Sequence, residues 1–169
     1  MTMRHVCAAA AILAAALGTT AARADSSPVA TVQADVAKLT TDAGSLHSTI
    51  LADAQKISSD VQSLQGSGDR KTVAATLKAD WQKVQSDRQA LVPAVQTDWQ
   101  TLKTDLAAAR AAKAGQGQLK PILQQMNAAL AQERDAVKTA LQSAHQAAQA
   151  LRQSLTPAKG SGSKTTTTP

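Results

Sequence analysis

Aromatic residues and cysteine are scarce in this chain of 169 residues, which contains no phenylalanine, no tyrosine and one cysteine. Its only large aromatic side chains are Trp81 and Trp99. A β-sheet core draws on β-branched and aromatic residues at alternating positions, and the sequence has no run of that kind. Alanine, leucine, glutamine and lysine, which favour helices, are abundant instead. The composition therefore predicts an all-α protein.

The first 24 residues have the pattern of a secretory signal peptide. Arg4 supplies a positive start, residues 6–17 form an apolar run, and Ala22-Arg23-Ala24 places small residues before the cleavage position. The run of about a dozen residues is too short for a membrane span, which needs about 20. We therefore expect cleavage after Ala24 and export to the periplasm or the extracellular space.

The segment expected to leave contains the single cysteine, Cys7, together with Arg4 and Arg23. The remaining chain has no thiol, which excludes a disulfide framework and thiolate chemistry. With two of the 18 basic residues removed and all 12 acidic residues kept, its formal net charge is +4. The exported chain must therefore be stabilised by helix packing alone.

A repeat of 45 residues organises the middle of the chain. It is marked by eight aspartates in two sets of four: Asp35, Asp42, Asp53 and Asp60, then Asp80, Asp87, Asp98 and Asp105. Apolar residues between them recur at steps of three and four, which indicates an amphipathic helix used twice. Lys38 and Lys83 also correspond. The repeat predicts an architecture and leaves the chemistry open.

Helix limits follow from proline and glycine. Ser27-Pro28 is typical of a helix start, and paired glycines at 66, 68, 115 and 117 are typical of short connections. We predict helices over about 28–65, 69–113 and 118–156, with the second kinked at Pro93. Short connections favour antiparallel neighbours, so the predicted fold is an elongated, coiled-coil-like, up-down-up three-helix bundle in residues 25–157. The low-complexity residues 158–169 are expected to be a disordered tail.

The repeated aspartates each precede a position of an apolar stripe, so they line one edge of each helix. One interpretation is a solvated, ion-paired edge that sets helix register, since lysines follow three residues after Asp35, Asp53 and Asp80. The other is a row of cation sites, which requires several oxygens converging on one point. Aspartates seven or more residues apart on one helix do not converge. The sequence therefore favours the ion-paired edge.

No catalytic, cofactor-binding or metal-binding residue is predicted. Trp81 and Trp99 lie eighteen residues apart, which places them on one helix face, and we expect them to be core anchors. His47 and His145 lack the spacing of a metal site, and packing explains Met126. We therefore expect a protein that is not an enzyme and needs no cofactor, although these two histidines with Met126 leave a small-ligand or metal carrier as a third hypothesis.

Two basic zones are the candidate interaction surfaces. They contain Arg70, Lys71, Arg110, Lys113 and Lys120. In an exported protein, such zones suit acidic partner proteins or an anionic envelope surface, while the missing aromatics argue against nucleic acid. Solubility alone is the competing explanation. The Ala-rich stripes bury little area, so pairing of the chain with itself stays a hypothesis.

Two functional hypotheses follow from the predicted shape. The first is an exported helical interaction or structural protein of the cell envelope, acting as a chaperone or an assembly spacer by offering a stripe or groove to other proteins. The alternative is an amphipathic-helix protein that binds lipid or a membrane surface. The overall plan resembles that of small periplasmic chaperones, but the Leu-Thr-x-x-Gln signature of one such group is missing, so no residue role is transferred.

Overall fold

Three long helices make up the part of the chain that the computed structural model describes, residues 27–155. They are α1 (Pro28–Leu64), α2 (Arg70–Ala111) and α3 (Gln116–Ser154). The predicted limits lie within two residues of these. No strand occurs between residues 27 and 155, and the all-α architecture is confirmed. The signal peptide predicted at 1–24 and the tail predicted at 158–169 lie outside the described residues.

Each helix start has a distinct local cause. The Ser27 hydroxyl accepts a hydrogen bond from the Ala30 amide at 3.3 Å, and Pro28 occupies the first turn, where an amide hydrogen is not needed. Asp69 caps α2 by accepting from the Lys71 amide at 2.9 Å. Gly115 precedes α3 with φ +55°, and a Cβ there would overlap Val29. The turn between α2 and α3 is therefore packed onto the first turn of α1.

The helices run up, down and up. The core has two groups of buried residues, each drawn from all three helices. One joins the end of α1 to the start of α2 and the end of α3. The other joins the start of α1 to the end of α2 and the start of α3. This pairing makes α2 antiparallel to α1 and α3 parallel to α1, as the predicted topology requires.

Helix α2 continues through Pro93 without a break. A proline within a helix removes one backbone hydrogen bond, and the Thr97 hydroxyl donates to the Pro93 carbonyl at 2.9 Å. Two helical segments do not result, which agrees with the prediction of one continuous helix. At about 1.5 Å per residue, α2 is roughly 63 Å long.

Helix α1 lies in the middle of the arrangement. It packs along its length against both α2 and α3, whereas α2 and α3 approach each other only sparsely. A closed three-helix bundle would bring all three pairs together. This one is open along one side, and the opening between α2 and α3 is the feature that positions the candidate site.

Candidate functional site

Three lysines join α1 to α2, and each contacts two carboxylates. Each binds the aspartate four residues ahead on its own helix and a second aspartate on the opposite helix. The three sets are Lys38 with Asp42 at 2.8 Å and Asp98 at 2.6 Å, Lys56 with Asp60 at 2.5 Å and Asp80 at 3.3 Å, and Lys83 with Asp87 at 2.5 Å and Asp53 at 3.4 Å. We call this set of contacts the lysine-bridged interface. It fixes the register of α1 against α2.

The aspartates that reach across this interface are buried, and the lysines are not. The side chains of Asp53, Asp80 and Asp98 are only 6–8% exposed, whereas the three lysine side chains are 54–62% exposed. The prediction of a solvated edge is therefore wrong for these three aspartates. The long lysine stems cover the carboxylates while the ammonium groups stay in water. The sequence predicted ion pairs between residues three apart on one helix. The observed pairs instead join residues four apart on one helix and residues on opposite helices.

Hydrogen bonding holds the three lysines in their charged form. The carboxylates of Asp42, Asp60 and Asp87 are the largest cause that raises the pKa of Lys38, Lys56 and Lys83, respectively. Burial acts in the opposite sense on Asp80 and raises its pKa, although Lys56 lowers it in part. Lys56 therefore offsets part of the cost of burying the Asp80 carboxylate.

The 45-residue repeat has a structural counterpart in this interface. A shift of 45 residues takes Lys38 to Lys83 and Asp53 to Asp98. The pairs Lys38–Asp98 and Lys83–Asp53 are therefore the same contact, made once from each helix. Helices α1 and α2 are related by a local twofold axis that lies between them. The two copies of the repeat are thus a pair of antiparallel helices that face each other. In both bridges the residue numbers of the lysine and the aspartate add to the same sum.

One contact of the repeat is missing its lysine. The counterpart of Lys56 is Thr101, and the counterpart of Asp80 is Asp35. Among residues 27–155, Asp35 accordingly has no lysine bridge and instead lies beside Asp105, the counterpart of Asp60. Burial first, and then the hydrogen bond and charge of Asp105, raise the pKa of Asp35 to about 6. This end of the interface is therefore a carboxyl pair sensitive to mildly acidic pH.

The opening between α2 and α3 has an apolar floor. Its middle is lined by Trp81, Val84, Gln85, Arg88, Gln89, Val92 and Leu141. At its upper end the Trp81 ring meets the edge of His145, with centroids 6.0 Å apart and an interplanar angle of 69°, and Leu141 lies beside both. We call this opening the α2–α3 groove. Trp81 and Leu141 pack against the first core group and are half-buried, so part of their apolar surface faces the groove.

The α2 side of the groove continues past Pro93. Gln96, Trp99 and Lys103 follow Val92 at steps of four, three and four, which keeps them on one helix face. They line a shallow depression beside Pro93. At the far end, Arg110 of α2 faces Lys120 and Leu123 of α3 around a third depression. From Trp81 to Arg110 the three depressions extend over about 44 Å of α2, and the one beside Pro93 is lined by α2 residues alone.

Uncompensated positive charge borders the groove. Arg88, Lys103, Arg110 and Lys120 all line it or its continuations, and none forms an ion pair with a residue in the range 27–155. The repeated aspartates of α2 are instead at its α1 edge, where three of them contact lysine and Asp105 lies beside Asp35. Helix α2 thus has an acidic edge that contacts α1 and a basic edge that faces the groove.

The structure separates the predicted interaction residues into two places. Arg110 and Lys120 come together at one end of the groove. Lys113 lies in the adjoining turn, with φ 54°. Arg70 and Lys71 open α2 and are exposed at the opposite end of the bundle. Sequence reasoning missed Arg88 and Lys103, although their spacing relative to Trp81 and Trp99 places all four on adjoining helix faces.

The remaining candidate residues are structural in their surroundings. Trp99 is half-buried against the second core group, and Met126 is buried within it. His47 Nδ1 lies 2.8 Å from Glu133 Oε2, which joins α1 to α3. The described residues contain no cluster of three or more histidine, cysteine or acidic side chains able to hold a metal ion. No helix between 27 and 155 combines the length and the apolar character that a membrane crossing requires.

The chain was compared with protein-family models, with curated proteins and with solved structures, and none of the three comparisons found a match.

Proposed function

We propose that this protein is a non-catalytic helical interaction protein of the cell envelope, which binds another protein along its length as a chaperone or an assembly spacer. The observation that carries the proposal is the α2–α3 groove. It presents half-buried Trp81 and Leu141 beside Arg88, which has no ion pair with any residue in 27–155. Exposed apolar surface framed by polar residues marks interaction sites in proteins.

The lysine-bridged interface supports a scaffold role. An Ala-rich seam alone removes little apolar area from water, so it specifies register weakly. Buried aspartates that must each meet a particular lysine make a shifted register costly, because the shift would leave a carboxylate buried without its cation. Such a hairpin keeps its shape while one face stays open, which a binding rod needs.

Export is the second element of the proposal, and residues 1–24 support it. Expression of the full sequence with a C-terminal tag, followed by cell fractionation and mass measurement, tests it directly. We expect the tagged protein in the envelope or medium, shortened by the residues before Asp25. Retention of Met1 in a cytoplasmic fraction would contradict the envelope assignment.

Binding activity is tested by suppression of aggregation. An unfolded model client is diluted with and without an equimolar amount of the protein, and light scattering is followed. A chaperone or spacer lowers the scattering, and the variant Leu141→Glu, which places a charge in the groove floor, lowers it less. Equal scattering with and without the protein would contradict a chaperone role.

The alternative function is binding to a membrane surface, which the open basic edge favours. Co-sedimentation with vesicles of anionic phospholipid separates the two. Laying the helices on a membrane requires the lysine-bridged interface to open, so circular dichroism of vesicle-bound protein would show altered thermal unfolding. Strong co-sedimentation without protection of the client would favour the membrane alternative.

A further inference from the structure

The face of α2 in the groove is the repeat counterpart of the face of α1 that holds α3. Two residues of α1 face Glu133 of α3. His47 Nδ1 lies 2.8 Å from Glu133 Oε2, and a Cβ added at Gly44 would lie 3.8 Å from the same carboxylate. A shift of 45 residues takes Gly44 to Gln89 and His47 to Val92. Both of these line the α2–α3 groove.

The local twofold axis therefore gives the hairpin two equivalent places for a packed helix. It relates contacts of α1 to contacts of α2, as Lys38–Asp98 and Lys83–Asp53 demonstrate. Helix α3 occupies the place beside α1. The equivalent place beside α2 is the groove, where a fourth helix would contact α2 and α3 together. A fourth helix would complete a four-helix bundle and bury the uncovered side of the α1–α2 seam.

The charges of the groove indicate the chemistry of its occupant. Arg88 and Lys103 border it on the α2 side, and Lys120 borders the far end on the α3 side. A second copy of this chain would bring the same cations against them, which is unfavourable. An amphipathic helix with an apolar stripe and acidic residues on its flanks supplies both the apolar surface and the opposite charge.

We infer that the α2–α3 groove is a docking site for an acidic amphipathic helix of a partner protein, which packs beside α2 as α3 packs beside α1. The inference rests on the proposed function and names the partner's recognition element. The partner helix has about 29 residues, because the groove follows about 44 Å of α2 at about 1.5 Å per residue. Its acidic residues face Arg88 and Lys103.

The test uses the two tryptophans as internal reporters. Protein produced from the full sequence is titrated with a tryptophan-free synthetic peptide of about 29 residues, with leucine and alanine on one face and glutamate on both flanks. A matched peptide carries lysine at every glutamate position. We expect the acidic peptide to shift the emission of Trp81 to shorter wavelength, with Trp81→Phe identifying the reporter, and the basic peptide to leave it unchanged.

Two double variants with the same change of charge locate the site. Arg88→Glu with Lys103→Glu is expected to weaken the acidic peptide about tenfold or more. Arg70→Glu with Lys71→Glu, at the N-terminal end of α2, is expected to change the affinity less than about threefold. All four residues are exposed, and circular dichroism melting curves check that both variants fold.

Several results would overturn the inference. Equal weakening by the two double variants would mean unspecific attraction, and equal binding of the two peptides would remove the role of the cations. A dimer in sedimentation equilibrium that hides Trp81 would assign the groove to a second copy. Anionic vesicles that shift Trp81 emission and displace the peptide would assign it to a membrane. No peptide binding, with client aggregation still suppressed, would overturn the groove inference and leave the proposed function standing.

Discussion

The two edges of helix α2 differ in how their charges are paired, and this difference explains how the protein combines a fixed shape with an open surface. At its α1 edge, Lys83 and the buried Asp80 and Asp98 take part in bridges across the interface. At its α3 edge, Arg88 and Lys103 have no acidic partner between residues 27 and 155. The charges that join α1 to α2 thus lie on one edge of α2, and the charges that face solvent lie on the other.

The ion pairs of the lysine-bridged interface determine the register of α1 and α2 more than they add to the free energy of unfolding. Each lysine is more than half exposed, and exposed pairs contribute little on their own. Their effect lies in what happens when they are broken, since the aspartates beneath them are buried. The open edge carries no such penalty, so substitutions there should leave the fold intact. The following predictions test this difference, from the largest effect to the smallest.

Truncating a leucine should cost far more in the closed interface than in the groove. Leu77 is fully buried, so we expect Leu77→Ala to lower the free energy of unfolding by about 3 kcal/mol. Leu141 is half-buried in the groove, and Leu141→Ala is expected to cost about 1 kcal/mol or less. Urea denaturation followed by circular dichroism measures both. Equal losses would mean that the groove is closed in solution.

Removing a bridging lysine should strand a buried carboxylate. Lys83→Met keeps the apolar stem but leaves Asp53 without its cation, and we expect a loss of about 2 kcal/mol in unfolding free energy. The matched control is Lys78→Met, an exposed lysine of the same helix without an ion pair to any residue in 27–155, with a change within about 0.5 kcal/mol. Similar losses in the two variants would contradict a role for the bridge.

The carboxyl pair should give the protein a specific pH dependence. The pKa of Asp35 in the folded protein, about 6, lies above its ordinary value of 3.8. Its favourable contribution is therefore complete below about pH 4 and lost as the pH rises through about 6. We expect Asp35→Asn to be more stable than the natural protein by about 1 kcal/mol at pH 7.5, with the difference disappearing near pH 4.

Asp42 provides a control of opposite sign for that measurement. Hydrogen bonding to Lys38 lowers its pKa, so its contribution is present at neutral pH and lost as the pH falls below its ordinary value. Asp42→Asn should therefore lower the melting temperature at pH 7.5, and the deficit should close on acidification. Parallel pH profiles for the two asparagine variants would show that the carboxyl pair has no individual effect.

Supplying the missing lysine should strengthen the interface slightly. Thr101→Lys places a cation beside Asp105 and Asp35, as Lys56 lies beside Asp60 and Asp80. We expect a gain of about 0.5 kcal/mol at pH 7.5. Thr104→Lys adds the same charge where the residue four positions ahead is Ala108, and should give no gain. Thermal unfolding of both variants decides the matter.

Helix number, order and limits were predictable from the sequence because they depend on local signals. Ser27-Pro28 and the paired glycines mark helix ends by backbone chemistry that acts within a few residues. The repeated aspartates were also recognised at the edge of each stripe. Their burial was not, because it depends on how closely α1 and α2 approach and on lysine stems that fold over the carboxylates.

The groove was not predictable from periodicity. Stripes of apolar residues show which face of a helix turns inward, but they do not show that α3 packs beside α1 and leaves α2 uncovered. The repeat contained one usable signal. Gly44 and His47 differ in kind from Gln89 and Val92 at the corresponding positions, so the side chains that line the two equivalent places differ. The positions at which the two copies differ, among them Val92, therefore mark the groove in the sequence.

The parallel course of α1 and α3 has a mechanical consequence. Ser27 stands at one end of the rod and Leu155 at the other, about 55 Å apart at the rise of an α-helix. A group attached before α1 is thus held at one end of the rod, and a group attached after α3 is held at the other. Fluorescent dyes at these two positions would turn any bending of the rod into a change of energy transfer.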